Sequence, residues 1–408
     1  MSEIRKQAEN ARRAFFKLST DADRTRILIE MAAALRGNAG LILEANAKDL
    51  ENARGSLSQA LYKRLVLDDA KLRDVVDGIE QIAAMDDPLG RVLSETELDD
   101  GLILRKVQTP IGVIAAIFES RPDVVPQIAS LAIRTGNAVL LKGGREAIQT
   151  NAVMGSVIRG VLDRHGLADA VQVLSTREEI AELLQMDDLI SLVIPRGSND
   201  MVRTIQKSTK IPVLGHADGI CHVFIDEFAD IEKAVRITVD SKAQYPAVCN
   251  AAETLLVHKN FPALDRVTSA LKAAGVELRF ESGFGEEFSD LIMAVRVVNS
   301  LEDAIDHIHK YGSAHTDAIV TENESNARRF LDRVDSANVF WNASTRFADG
   351  YRYGFGAEVG ISTNKTHARG PVGVDGLLIY KYQLIGSGHI VATYAGDNAR
   401  PFLHRRLK

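Results

Sequence analysis

The sequence predicts an α/β protein with a doubly wound parallel sheet and a second α/β domain. Apolar runs of strand length alternate with helical stretches from Gly112 onward, and such continuous apolar strands are typical of parallel sheets covered on both faces. A second alternation of this kind begins after about residue 240. The 408 residues are 46% apolar and 25% charged, the usual mixture for a chain that buries a large core.

The elements of the first part follow in chain order. The first hundred residues carry helical patterns, and a turn at 98–101 followed by an apolar run at 102–107 indicates a short β-hairpin. The strands that come next are predicted at 112–118, 138–141, 171–174 and 190–194, and the helices at 122–134 and 146–164. The stretch 219–225, which contains Cys221, is a further apolar strand, so we interpret this cysteine as a core residue.

The sequence after about residue 240 shows the same alternation of strands and helices. Its strands are predicted at 254–257, 292–298, 318–320 and 339–341, and its helices at 263–274, 301–309 and 325–334. The stretch 354–376 is predicted as a loop, and 377–382 and 389–393 as late strands. We therefore expect a first domain formed by 1–95 and 109–238, a second domain formed by 239–382, and a small β element for oligomerisation formed by 96–108 and 383–408.

Charge and cysteine content exclude several classes of protein. The net charge is −6 and no strong basic stripe is present, which argues against a nucleic-acid partner. No run of about 18 apolar residues indicates a membrane span, and the charged N-terminus lacks an apolar signal core. Cys221 and Cys249 cannot form a disulfide framework. We therefore expect a cytoplasmic protein with reduced thiols.

The common motifs for nucleotides and metals are absent. The sequence has no G-x-G-x-x-G, no G-K-[ST] phosphate loop and no H-E-x-x-H. His307, His309 and His315 lie close in sequence, but the first two fall on different sides of one helix and no ligand spacing is completed. We interpret these histidines as structural or surface residues and expect no metal.

Two loops indicate a site for an anion. Lys142, Gly143, Gly144 and Arg145 follow one predicted strand and precede a helix, and the stretch 195–198 repeats this layout. Ligands bind at the carboxyl ends of strands in open α/β sheets, and glycines let the backbone approach a phosphate closely. Glycine at such a turn often serves the turn alone, but two loops of this kind in one sheet favour an anionic dinucleotide.

Cys249 has two interpretations. It lies at the expected junction of the two domains, among a proline and small residues that leave room for a ligand. A thiolate at that position could attack an acyl carbon. The alternative is a buried small hydrophobe, which is the commonest state of a free cysteine.

Longer stretches match a known family. The stretches 109–113, 136–142 and 249–251 resemble the aldehyde dehydrogenase superfamily. Within it, the chain resembles the γ-glutamyl phosphate reductase family over nearly its whole length. The stretches that carry this narrower resemblance are 118–123, 141–146, 312–316, 342–350, 356–363 and 367–371.

The resemblance implies a reaction. Such enzymes reduce L-glutamyl 5-phosphate with NADPH to L-glutamate 5-semialdehyde and phosphate, the second step of proline biosynthesis from glutamate. It implies that the Cys249 thiolate forms a thioester with the acyl group. Hydrolytic relatives carry a glutamate that activates water, and Val213 occupies its place here. An enzyme that must protect a thioester from water has reason to lack that base. His216 could still act as a base, although we prefer the interpretation without one.

The resemblance also assigns the remaining catalytic and cofactor residues. Ser120 matches an oxyanion-hole asparagine, and Arg121 beside it suits an acyl phosphate, unless it only pairs with a neighbouring carboxylate. Arg145 occupies the place of a glutamate that binds the ribose hydroxyls in NAD enzymes, which favours NADPH. The cofactor-binding residues implied are Lys142, Gly143, Gly144, Arg145, Arg196, Gly197, Ser198 and Glu287.

For the substrate, Arg346 is the candidate partner of an anion, and Asp349 and Glu358 are candidates for the ammonium group, although Asp349 could equally serve only to stabilise its loop. The other residues implied to line the pocket are His315, Thr316, Asn342 and Ser344.

The expected partners are a small-molecule substrate and further copies of the chain, as a homodimer or homotetramer, with a transient contact to glutamate 5-kinase as a further hypothesis. We expect no nucleic acid and no membrane. Two rival functions remain open. One is an acylating or hydrolytic aldehyde dehydrogenase, and the other is a non-catalytic nucleotide-binding protein on the same scaffold.

Overall fold

A computed structural model describes residues 2–174, 178–355 and 357–408 of the chain. It forms two compact units. The first unit contains Met1–Gly197, Ser208–Val213 and Gly373–Lys408, and the second contains Ser198–Lys207 and Leu214–Val372. The α/β fold class predicted from the sequence is confirmed.

The first unit begins with five helices, as the sequence predicted. They are α1 (Glu3–Thr20), α2 (Arg24–Gly37), α3 (Ala39–Ala53), α4 (Gln59–Leu65) and α5 (Asp69–Ala84). Four of them begin at a serine or aspartate whose side chain accepts a hydrogen bond from a backbone N–H of the first turn, which satisfies a donor that the helix leaves free. The predicted hairpin follows as β1 (Val92–Asp99) and β2 (Leu102–Pro110).

A four-stranded parallel sheet forms the centre of the first unit. Its elements are β3 (Val113–Phe118), α6 (Val124–Arg134), β4 (Ala138–Lys142), α7 (Ile148–Arg164), β5 (Val171–Leu174), α8 (Glu178–Leu183) and β6 (Leu192–Arg196). The next helix along the chain, α9 (Asn199–Ser208), belongs to the second unit except for its last residue. The strand order is β5-β4-β3-β6. β3 and β4 are buried throughout, as their continuous apolar sequences predicted. The strand predicted at 190–194 begins two residues later, at Leu192.

A six-stranded parallel sheet forms the centre of the second unit. Its elements are β7 (Cys221–Ile225), α10 (Ile231–Ala243), β8 (Ala252–His258), α11 (Leu264–Ala273), β9 (Glu277–Phe280), β10 (Ile292–Val298), α12 (Leu301–Tyr311), β11 (Thr316–Val320), α13 (Glu324–Arg333) and β12 (Asn338–Trp341). The order is β12-β11-β7-β8-β10-β9. β9 is half-exposed and was not predicted, because it lacks the apolar run of the other strands.

The boundary between the units differs from the predicted one. The sequence placed residues up to 238 in the first domain, whereas Leu214–Val372 belongs to the second unit. The reason is the pairing of β7, which lies between β8 and β11 in the sheet of the second unit. The apolar sequence of a strand indicates that the strand is buried, but it does not indicate which of the two sheets the strand joins.

Both faces of the second sheet are covered by helices. Successive strand residues point to opposite faces, so Val223 and Leu255 pack in one apolar cluster and Phe224 and Leu256 pack in the other. Residues of α10 and α11 complete the first cluster, and residues of α12 and α13 complete the second. This packing holds the strands in place and so fixes the loops at both edges of the sheet.

The remaining strands lie at the end of the chain. A two-residue pair, β13 (Ile361–Ser362) and β14 (Gly370–Pro371), lies within the stretch predicted as a loop. β15 (Leu378–Ile385) and β16 (Arg405–Arg406) extend the hairpin into an antiparallel sheet of order β15-β2-β1-β16. The strand predicted at 389–393 is wrong, because the backbone at Val391–Tyr394 forms a turn of 3₁₀-helix instead.

Candidate active site

Three chemically active side chains meet at the amino-terminal edge of the second sheet. Cys249 precedes β8, His216 precedes β7 and His315 immediately precedes β11. β11, β7 and β8 are adjacent and parallel, so the residues before them lie along one edge. A ligand atom of each side chain lies within 4.8 Å of the other two. The sheet order alone brings these distant parts of the sequence together.

The two imidazoles favour the ionised form of Cys249. Burial raises the pKa of the thiol, but the neighbouring His315 and His216 outweigh burial and hold this pKa well below its ordinary value. Burial lowers the pKa of His216, but the charge of Cys249 and the hydrogen bonds to Cys249 and Ile361 raise it to about 9. The pair is therefore a thiolate beside an imidazolium, which is the form in which a cysteine acts as a nucleophile.

Each imidazole is held through its Nδ1 atom. The Nδ1 atom of His216 lies 2.6 Å from the Ile361 carbonyl oxygen and donates to it, since a carbonyl can only accept. The Nδ1 atom of His315 lies 2.9 Å from Oγ1 of Thr316. His216 hydrogen-bonds Cys249 as well, whereas Nε2 of the fully buried His315 has no hydrogen-bond partner among the described residues.

The backbone around Cys249 is held by close contacts. A Cβ atom on Gly219 would collide with the carbonyl oxygen and Cα of Cys249, so only glycine fits there. The Cys221 thiol donates to the Cys249 carbonyl over 3.2 Å, and the Asn250 side chain donates to the Ala348 carbonyl over 2.7 Å. Cys221 is buried, as predicted. The need for glycine at 219 was not recognisable from the sequence, because it depends on contact with a segment thirty residues away.

The two cysteines should differ in reactivity. Cys221 is fully buried and burial raises the pKa of its thiol, whereas Cys249 is partly exposed and favours the thiolate. At pH 7 we expect iodoacetamide to modify Cys249 at least about 100-fold faster than Cys221, since the thiolate is the reactive form. Peptide mass spectrometry over a time course measures both rates in one sample. Equal rates would contradict the thiolate assignment.

Among the predicted substrate residues, Arg346 and Ser344 lie in the segment that returns past α10. The buried Arg346 donates through Nε to Gln244 over 2.9 Å, and burial lowers the pKa of its guanidinium. Its electrostatic partners include Cys249. The Ser344 hydroxyl bonds to that of Ser241 over 3.2 Å. Arg346 is therefore a buried cation that interacts electrostatically with Cys249.

Other predicted substrate residues have structural partners. The buried Thr316 orients His315. Asn342 follows the carboxyl end of β12, where its amide bonds to Thr321 and Glu322, so the structure does not bring it to the thiol. Asp349 pairs with Arg352 at 3.3 Å, and Glu358 accepts from the Gly350 N–H at 2.8 Å. These last two carboxylates stabilise their own loop.

In the first unit, the Lys142 loop lies at the carboxyl end of β4, as predicted. The buried Lys142 ammonium donates to the Gly143 carbonyl over 2.6 Å. A Cβ atom on Gly143 would meet the Phe118 ring at 2.9 Å and collide with the Asn151 amide, and one on Gly144 would collide with the Glu146 carboxylate. Arg145 is exposed at the start of the following turn.

A cavity of about 300 Å³ opens beside this loop. It is lined by Gly143, Gly144, Gly155, Arg159 and residues of β5. A Cβ atom on Gly155 would meet Val173 at 2.6 Å, so the helix lies close against the strand there. A glycine cradle, an arginine and a strand edge fit the adenosine end of a dinucleotide.

Ser120 and Arg121 follow β3 in the same unit. Ser120 has φ of +45°, and both its N–H and its hydroxyl donate to Glu146, at 2.6 and 2.8 Å. The hydroxyl hydrogen is therefore engaged by a carboxylate, and an oxyanion could use it only in exchange for Glu146. Arg121 is partly buried. Glu146 was missed, because its partner lies one strand away.

The second predicted loop leads from one unit to the other. Arg196 ends β6, Gly197 is the last residue of that part of the first unit, and Ser198 begins the second. Asn199 donates to Glu287 over 2.9 Å and to Asp218 over 3.1 Å. The structure thus brings Glu287 to the start of α9.

Comparison with known proteins identifies the family. Residues 1–291 match the model of the aldehyde dehydrogenase family. The γ-glutamyl phosphate reductase of Nostoc punctiforme is 51% identical, with 98% of this chain and 97% of the relative covered. The chain belongs to the aldehyde dehydrogenase family. The family uses a nicotinamide cofactor, in agreement with the glycine cradle in the first unit.

Further relatives agree with this membership. The γ-glutamyl phosphate reductase of Pelotomaculum thermopropionicum is 50% identical over 100% of this chain and 98% of the relative. The crystal structure of γ-glutamyl phosphate reductase from Thermotoga maritima has a TM-score of 0.92 and 37% identity, covering 95% of this chain and 100% of that one. None of the helices in the described ranges combines the length and apolar character that a membrane crossing requires.

Proposed function

We propose that this aldehyde dehydrogenase family member reduces L-glutamyl 5-phosphate to L-glutamate 5-semialdehyde and phosphate, with NADPH as the reductant, as the second step of proline biosynthesis from glutamate. The names of relatives about half identical over their full length support the substrate. The observation that carries the mechanism is the Cys249 thiol between two imidazoles.

Covalent catalysis by Cys249 divides the reaction into two steps. The thiolate attacks the acyl carbon, a C–S bond forms, the C–O bond to phosphate breaks, and phosphate leaves with the electron pair. A nicotinamide cofactor held by the residues named below would supply the hydride for reduction of the resulting thioester. The C–S bond then breaks, the aldehyde departs and the Cys249 thiolate is regenerated. His216 keeps a proton beside the sulfur throughout, which favours the thiolate as a leaving group.

Other residues stabilise charge or exclude water. The backbone N–H of Cys249 and the Arg121 guanidinium serve the oxyanion, and the Ser120 hydroxyl joins them by exchanging Glu146 for it. Arg346 binds an anionic group of the substrate. Val213 stands where the resemblance places the glutamate that activates water in hydrolytic relatives, and a valine cannot deprotonate water. The thioester is therefore reserved for reduction or, in reverse, for attack by phosphate.

The first unit serves as the NADP-binding domain and the second as the catalytic domain. Lys142, Gly143 and Gly144 hold the adenosine ribose, and Arg145 binds the 2′-phosphate. Arg196, Gly197 and Ser198 hold the pyrophosphate, while Glu287, positioned by Asn199, accepts from the nicotinamide ribose.

Reversal of charge at Arg145 should change cofactor preference. In Arg145→Glu we expect the KM for NADPH to rise by about 10–100-fold, because one charge-assisted contact to the 2′-phosphate is worth about 1.5–3 kcal/mol. The KM for NADH should change far less. Steady-state kinetics with both nucleotides measures this, with Arg73→Glu as a control at an exposed arginine of α5. A parallel loss with both nucleotides would place the 2′-phosphate elsewhere.

The reverse reaction tests the function. Purified protein is mixed with glutamate 5-semialdehyde and NADP⁺, and NADPH absorbance is followed with and without inorganic phosphate. We expect NADPH to form only when phosphate is present, because phosphate must release the acyl group from Cys249. NADPH formation without phosphate would indicate a hydrolytic dehydrogenase. No NADPH in either condition would refute the substrate assignment.

We also propose that β15 and the tail form a dimer interface, which could assemble further into a tetramer. Several large apolar side chains of β15 and the tail are between 60% and 81% exposed in the single chain: Tyr382, Leu384, Ile390 and Val391. Such a concentration of exposed apolar side chains is typical of a protein–protein interface. Light scattering during gel filtration measures the assembly. A transient contact with glutamate 5-kinase would protect a labile acyl phosphate and stays a separate hypothesis.

A further inference from the structure

The cluster at Cys249 has the composition of a zinc site. One sulfur and two imidazole nitrogens lie within 4.8 Å of one another, in a part of the chain that was predicted to hold no metal. Thiolate and imidazole are the ligands that Zn²⁺ prefers, and three protein ligands with an open fourth position are common. We propose that His216, Cys249 and His315 form an inhibitory binding site for Zn²⁺, which is not needed for the reaction proposed above.

The two histidines are oriented as metal ligands usually are. A ligating histidine commonly donates its other ring N–H to a carbonyl or another polar group, which fixes the ring and leaves one nitrogen for the ion. Here Nδ1 of His216 is held by the Ile361 carbonyl at 2.6 Å, and Nδ1 of His315 lies 2.9 Å from Oγ1 of Thr316. Nε2 of His315 is thereby left for a ligand, and an ion would replace the hydrogen bond that His216 makes to Cys249.

A buried polar atom without a partner supports the site independently. His315 is fully buried, and its Nε2 has no hydrogen bond among the described residues. Leaving such an atom unsatisfied costs about 1–3 kcal/mol, and coordination to an ion would remove that cost. Zinc bonds of about 2.0–2.3 Å require the three side chains to move inwards by several tenths of an ångström.

The donor set also determines selectivity. No carboxylate belongs to the cluster found among the described residues, and Mg²⁺ and Ca²⁺ require oxygen ligands. When Zn²⁺ is bound, the sulfur lone pair is shared with the ion, so Cys249 can neither attack an acyl carbon nor react with an alkylating agent. Removal of the ion restores the free thiolate, and inhibition is therefore reversible.

Binding is tested on the full-length protein after treatment with EDTA and gel filtration. Equilibrium dialysis against zinc sulfate should show one ion per chain. Alkylation of Cys249 by iodoacetamide should slow at least about tenfold with Zn²⁺, remain unchanged with Mg²⁺, and recover when EDTA is added. Co²⁺ in place of Zn²⁺ should produce a thiolate-to-metal absorption band. These measurements need no substrate, so they do not depend on the proposed reaction.

Variants locate the ion. Cys249→Ser should abolish the cobalt–thiolate band, and His216→Ala and His315→Ala should each weaken Zn²⁺ binding by about tenfold or more. His307→Gln is the matched control, since it changes another buried histidine with a free Nε2 outside the cluster, and its binding should be unchanged. Alkylation unaffected by Zn²⁺, or binding retained in all three cluster variants, would overturn the proposal. Circular dichroism confirms that each variant is folded.

Discussion

Replacement of Cys249 by alanine is expected to abolish phosphate-dependent formation of NADPH. The thiolate forms the covalent bond to the acyl group, and no other described nucleophile lies between the two imidazoles. Removal of a catalytic nucleophile commonly lowers kcat by factors up to about 10⁶, so we expect a loss of at least about 10³-fold. The measurement is the reverse assay, with glutamate 5-semialdehyde, NADP⁺ and phosphate.

The matched control for this variant is Cys221→Ala. It removes the other thiol of the chain, whose sulfur donates to the Cys249 carbonyl and lies 3.6 Å from Nδ1 of His315. We expect it to keep phosphate-dependent activity within about tenfold of the unmodified protein, because it shifts the site without removing the nucleophile. If Cys249→Ala retained comparable activity, the thioester mechanism would be wrong.

Lys242→Met is expected to destabilise the protein strongly. The Lys242 ammonium lies 2.7 Å from a carboxylate oxygen of Glu253, and both side chains are at most 1% exposed. Removing one partner of a buried ion pair typically costs 3–5 kcal/mol, because the other charge stays buried alone. We expect the free energy of unfolding to fall by about that amount at pH 8, as measured by urea denaturation.

The loss should be smaller at pH 5. Burial raises the pKa of Glu253 to about 7 even with Lys242 beside it. A carboxyl group whose pKa is higher in the folded state binds more protons there, so the folded state is favoured as pH falls from about 7 towards its unfolded value. A protonated Glu253 needs no positive partner.

The double variant Lys242→Met, Glu253→Leu is the control for the pair. It removes both charges and keeps the apolar volume, so it should recover most of the lost stability. A Lys242→Met variant as stable as the unmodified protein would show that water reaches the pair.

Local patterns in the sequence predicted most of the elements and the position of the Lys142 loop. An apolar run followed by Lys142 and two glycines indicates a strand, a turn and a helix start within ten residues, and the structure has these elements there. Cys249 was recognisable as a candidate because small residues and a proline surround it. These features depend on neighbours in sequence.

The composition of the thiol site was not recognisable in the same way. His216 was set aside as a base and His315 was assigned to a substrate pocket, whereas the structure places both rings within 4.8 Å of Cys249. The sequence argument had placed β7 in the wrong domain, and this hid the meeting of the three residues. Asn342 is the opposite case. Residues close to it in sequence approach the thiol site, whereas its own amide bonds to Thr321 and does not reach the thiol.

The sequence by itself therefore determined the α/β class, most of the strands and helices, and the residue types capable of chemistry. Only the tertiary structure decided that His216, Cys249 and His315 form one site. The physical reason is that strand identity depends on local burial, whereas strand order depends on which apolar faces pack together across the whole chain. The amino ends of β7, β8 and β11 meet only after that packing is complete.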